Sequence, residues 1–204
     1  GSEMCIRDRG NGTNTITDSC FHAPNGSLTA TVSLTVGTGQ NSIFLGTSIP
    51  YKTGDASQGS VTEAGALYNV TLGSHGGTIN DTIRFANTNM SDAIAGIASN
   101  ILNGAVTGDK ILFSADSNSP IVIASQQSTG SFSSVAEAIQ QVVNDAGYHG
   151  VAWVQYNGNT YIDEYSGASP GALPNGHTGV NTVIEIVGLH TFTSGANGSI
   201  ILAS

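Results

Sequence analysis

The chain has little charge. Only 9% of its 204 residues are Asp, Glu, Lys or Arg, and 14 acidic residues stand against 5 basic ones, a net charge of −9. Phosphate backbones are held by clustered Lys and Arg, so this balance argues against a nucleic-acid partner. No apolar run is long enough to span a bilayer, so no transmembrane segment is expected. Catalytic spacings are missing as well. The 5 histidines, His22, His75, His149, His177 and His190, never stand one helical turn apart around a Glu as a zinc peptidase requires, and they read as loop residues. No G-x-S-x-G occurs. Asp163 and Glu164 are neighbours on an expected strand, so they point to opposite faces and cannot flank one glycosidic bond. No catalytic constellation remains, and an enzyme is not expected. What abounds is Gly, 27 residues, with Ser, Thr and Asn at most polar positions. An acidic, Lys-poor, Gly- and Thr-rich chain suits an extracellular protein able to hold divalent cations, and equally a plain β-rich domain.

The string SEMCIRDR (2–9) has no hydrophobic period and resembles one that recurs in metagenomic translations, where sequencing-adapter DNA is read as protein. Residues 1–9 are therefore set apart as non-native, with native sequence expected from Gly10. That leaves Cys20 as the single thiol, which makes no intrachain disulfide.

From Gly10 a loose repeat appears: GNGTNTIT (10–17), GTGQNSIF (37–44) and, with Ile79 in place of the second Gly, GTINDTIR (77–84). In G-x-G-x-[ND]-x-I-x the glycines allow a tight turn, the Asn or Asp offers an oxygen into it, and the Ile points into a core. Each copy is read as a turn feeding a strand. The copies lie 27 and then 40 residues apart, so a strict solenoid of identical stacked coils is not expected. The oxygens at Asp81 and Asn80, then Asn14, Asn41 and Asp109, are the candidate calcium ligands; the alternative is that they only stabilise turns through their own backbone. Alternation over 28–36 and 66–72 marks further strands, with Thr29, Thr31, Ser33 and Thr35 on one face of the first. That row could dock a sugar or ice, or simply face solvent.

Ser91 and Asp92 cap an expected helix at about 92–103, with Ile94, Ile97, Ala98, Ile101 and Leu102 at helical spacing. Strands follow at 109–113 and 120–124. A second helix, 135–146, opens with a capping box from Ser134 to Glu137. It leads to a hairpin, 151–165, whose turn is Asn157-Gly158, and 181–187 is the expected third strand. Trp153 is expected in the core under the second helix. The fold class is thus mainly β, an irregular β-sandwich or solenoid-like β-domain with two inserted helices and a C-terminal hairpin sheet. Residues 10–115 form a β-rich part with degenerate Gly/Asn turns and one helix, and 116–204 a helix plus hairpin module.

The order of helix, aromatic-rich strand, GNTY return (158–161), NTVI strand (181–184) and VGL (187–189), preceded by GDKILFSA (108–115), resembles the C-terminal region of RTX-like proteins exported by type I secretion, in particular bacterial S-layer and surface proteins. The resemblance covers roughly the last hundred residues, by motif order alone. It implies the C-terminal structural and secretion module of a larger protein, extracellular, secreted or at the bacterial cell surface. Its partners would be a type I secretion exporter and other copies of itself or cell-surface components. A carbohydrate- or surface-binding adhesin module is the second reading, and the non-catalytic tail of a secreted RTX enzyme the third. Asn14 and Asn41 stand where the family's calcium nonapeptide has Asp, so any calcium binding is expected to be weak and to involve Asp81. The resemblance also implies an export signal at the extreme C-terminus, where SIIL (199–202) supplies the hydrophobic run without the acidic residue that commonly precedes it.

Overall fold

The computed structural model describes residues 4–7, 12–18, 31–45, 67–85, 100–113, 122–123, 132–145, 150–165, 181–196 and 199–203. Strands β1 (Met4–Arg7), β3 (Thr31–Thr35), β5 (Leu67–Thr71) and β7 (Asn100–Asn103) stack in parallel in one sheet. Strands β2 (Asn14–Asp18), β4 (Asn41–Leu45), β6 (Thr82–Phe85) and β8 (Lys110–Phe113) do the same in the other. The chain alternates between sheets at every step, so each pair of consecutive strands is one coil resting on the last. The fold is mainly β, as expected, and its solenoid-like turns stack as coils of unequal length and not as the identical coils of a strict solenoid. Asn14, Asn41, Asp81 and Asp109 come into register despite unequal spacing, because the added length of the second step falls mostly at 46–66, outside the described residues, and otherwise in the turn 72–81. β1, at the edge of its sheet, is built from residues set apart as non-native, with Met4 opposite Val32 and Ile6 opposite Leu34.

The corners explain how coils can stack so closely. A Cβ on Gly73 would lie 2.6 Å from the carbonyl of Gly37 in the coil below, so only glycine lets the two turns touch. Inside, strand alternation delivers like residues to like places: Ile16, Ile43, Ile83, Ile111 and Ile200 form one file across the second sheet. Leu45, Phe85 and Phe113 form the next. Both pack against Val32, Leu34, Tyr68, Val70 and Leu102 of the first sheet.

The C-terminal part closes both sheets. In the first, β12 (Asn181–Val187) pairs in parallel with β7, followed by β11 (Asn159–Tyr165) and β10 (Gly150–Tyr156) in antiparallel order and β9 (Val122–Ile123) beyond. In the second, β14 (Ser199–Leu202) and β13 (Phe192–Ser194) add antiparallel strands to β8. The hairpin and its third strand are as expected. Asn157 (φ 49°) and Gly158 (φ 86°) supply the paired positive angles that its turn demands.

One helix is described, α1 (Val135–Asp145), and its start is the expected cap: Glu137 N donates to Ser134 Oγ (3.2 Å). The Glu137 carboxylate reaches back one residue further than a standard box, accepting from Ser133 N (2.8 Å) and Oγ (2.7 Å). The expected helix at 92–103 is overturned at its end, since 100–103 is strand β7; its earlier residues lie outside the described set. Tertiary pairing wins over helical spacing here, because the buried Asn100 side chain accepts from Tyr68 N (3.3 Å) and donates to Val183 O (3.1 Å), tying three strands together. Trp153 is buried as expected, but not beneath the helix. It faces the inter-sheet core and meets Phe192 edge to face, centroids 5.3 Å apart, while α1 covers the other side of the hairpin at Ala152, Val154, Tyr161 and Val183.

Candidate functional site

The first residue of β2 and β4, and the residue just before β6 and β8, share one corner of the coil. They form a ladder. Asn14 Nδ2 donates to Asn41 Oδ1 (3.1 Å), Asn41 Nδ2 to Asp81 Oδ1 (3.2 Å), and Asn41 N to Asp81 Oδ1 (2.7 Å). Asp81 N donates to Asp109 Oδ1 (2.8 Å), and Val106 N to Asp109 Oδ2 (2.9 Å). Each of these links onto a rung side chain from another coil runs from an N–H on the earlier coil to an oxygen on the later one. Asn41, Asp81 and Asp109 are buried, and Asn14 is half-buried at the ladder's first rung.

The third coil departs from the others in its turn, 72–81, which is longer than 36–40 or 104–109. The added length brings His75 over the last rungs. Its ring nitrogens lie 2.6 Å from Gly73 O and 2.9 Å from Asp109 Oδ1, with Asp81 Oδ2 at 3.7 Å. Both nearest partners are acceptors, so only the doubly protonated ring satisfies both. Burial works against that charge. The Gly73 carbonyl, the Asp109 carboxylate and the Asp81 charge outweigh it, and the His75 pKa is raised. Burial also raises the Asp81 carboxyl, with Asp109 adding to it, against the pull of the Asn41 donors and His75.

Of the five candidate ligands, four thus come together in one file. Asn80 does not join the ladder; its Oδ1 sits over Gly108, where φ is +99° and a Cβ would collide with it. Calcium needs six or more oxygens free to turn toward it. Here the carboxylate oxygens of Asp81 and Asp109 already accept from amides and the imidazole, and a cation would have to displace those donors. Among the described residues no group of three or more His, Cys, Asp or Glu is arranged to hold a metal ion.

Two further carboxyls lie in the closing strands. Asp163 and Glu164 do face opposite ways, Asp163 with Tyr161 on the side covered by α1 and Glu164 toward the core beside Val151, and both are fully buried. Burial raises both, Asp163 with help from the charge of Glu164. His190 is also buried, in the turn after β12, where its N donates to Thr160 Oγ1 (2.9 Å). His22, His149 and His177 lie outside the described residues. So does Thr29, whereas Ser33 and Thr35 lie on the outer face of β3.

Reasoning from sequence found the ladder's side chains but not the role of His75, which no spacing rule singles out. No protein-family model and no curated protein matches the chain. Among the described residues no helix is long and apolar enough to cross a membrane.

Proposed function

We propose that this chain is a structural module, the closing part of a larger extracellular surface protein of the RTX-like, type I-secreted kind. The observation that carries the reading is the ladder: the polar residues of the repeated turns bind one another and the backbone, so their chemistry serves stacking. The antiparallel strands added to both sheets support it further, since they end the parallel stack in each. In this reading the chain's partners are its exporter, then copies of itself or cell-surface components. The run at 199–202 forms β14, with Ser199, Ile200 and Leu202 buried, so an exporter that reads it must do so before folding. The test expresses the whole chain in cells with and without a type I exporter. Release that depends on the exporter supports the proposal; equal release or equal retention removes its secretion part.

The adhesin alternative draws on one observation. The outer face of the first sheet carries short polar side chains in register, Thr35 beside Thr71 beside Asn103 and Ser33 beside Asn69, with Asn103 Nδ2 donating to Asn69 Oδ1 (3.1 Å). Such a flat row suits a repeating glycan, and retention of the chain on a polysaccharide matrix, lost on changing Thr35 and Thr71 to Lys, would favour it over the structural reading.

A further inference from the structure

We propose that Glu164 is a proton-controlled latch on the closing strands: carrying its proton it lets β10, β11 and β12 pack, and losing it loosens them. The residue sits near the end of β11, between Val151 of β10 and Thr182 of β12. Its exposure is 0%, and neither carboxyl oxygen has a hydrogen-bond partner among the described residues. Among the described residues no counter-charge faces it. Val151 and Thr182 do not titrate, nor do Val122 and Ile123 of β9 on the far side of β10. On its own strand Asp163 points to the opposite face, and of the acids on α1, which covers that opposite face, Glu137 is exposed and held by Ser133; the side chain of the other, Asp145, is outside the described set. The basic side chains Arg84 and Lys110 are exposed on the second sheet. Burial alone pushes the Glu164 carboxyl up to about 7.

An ionised carboxylate buried without a partner is costly, so above that value the chain must either keep the ion in the core or open the strands to water. The sign follows from linkage. A carboxyl raised in the folded state binds its proton more tightly there than in the open state, so stability is greatest in acid and falls as pH rises toward 7. One proton corresponds to about a tenfold rise in the opening constant per pH unit inside that window. Asp163 adds a proton of its own on the other face.

The experiment measures amide hydrogen exchange in β11, corrected for intrinsic rates, from pH 5 to 8 in the wild-type chain and in Glu164→Gln. The proposal expects wild-type protection to fall through the window and the variant to lose about tenfold per pH unit less of it. Contributions from groups that do not feel Glu164 are common to both chains and cancel in the difference, while Asp163, raised in part by the charge of Glu164, can only widen it. Equal slopes in the two chains overturn the proposal, and so does wild-type protection that does not change with pH. Should the variant fail to fold, a carboxyl carbon-13 titration of Glu164 in the wild-type chain decides: a midpoint near 7 supports the latch, and one below about 5, close to the unperturbed value, refutes it.

Discussion

The rungs of the ladder differ in how much each has to lose. Asp109 accepts from Asp81 N, Val106 N and His75, and all three donors would be stranded in a buried corner without it. Asp109→Ala is therefore expected to cost about 3–5 kcal/mol, as breaking buried charged pairs does. Asn14→Ala removes a bond from a half-buried end rung and should cost about 0.5–1.5 kcal/mol. Urea unfolding of both at one pH checks the gradient, and equal losses would mean that the ladder is not anchored at Asp109. His75 gives a prediction with a sign. Its pKa is raised in the folded state, so its contribution is complete below the unfolded value near 6.5 and disappears as pH climbs through the folded one. Wild-type melting temperature should fall on that upward path, and His75→Gln should flatten the fall; an unchanged profile would refute the imidazolium. The ladder's residue types are legible in the sequence, being the polar residue after a Gly-rich turn. That Asp109 belongs to the same file is not, because Ala105 and Thr107 replace the glycines that mark the earlier copies.

Among elements, legibility depends on whether the local period agrees with what tertiary pairing selects. The hairpin and α1 carry their own instructions, Asn157-Gly158 in one and Ser134 with Glu137 in the other, and both stand where the sequence places them. Residues 100–103 carry helical spacing from upstream, yet Asn100 completes hydrogen bonds to two neighbouring strands that only an extended backbone can reach. Trp153 shows the same limit: alternation says it is buried but cannot say on which face of the hairpin the helix sits. Its contact with Phe192 joins the hairpin of one sheet to the last strand pair of the other. Trp153→Ala should cost about 3–5 kcal/mol. A double-mutant cycle with Phe192→Ala should return a coupling of about 0.5–1.5 kcal/mol, the range for edge-to-face pairs. Additive losses would mean that the two rings pack independently.

At the scale of the whole molecule, the fold class is readable from composition and alternation, but the stacking is hidden by the unequal spacing of the repeats along the chain. Coil repeats of 27, 40 and 28 residues look irregular when measured along the chain, although in space they are one step each. That step decides what calcium can do. A β-solenoid whose turns are lined with carboxylates holds its coils together through bound cations; here Asn14 and Asn41 bring their own N–H donors and His75 brings a proton, so hydrogen bonds link the coils directly. Calcium would have to compete with donors at 2.7–3.2 Å and displace an imidazolium. The expected result is weak binding centred on Asp81, with thermal stability rising only at millimolar Ca²⁺, since a ligand of the folded state stabilises it as its concentration passes Kd. Lowering pH should weaken the effect further, because His75 then holds its proton more firmly. A rise in melting temperature already complete at micromolar Ca²⁺ would show that the donors swing aside readily and that the ladder is a calcium site in its apo form.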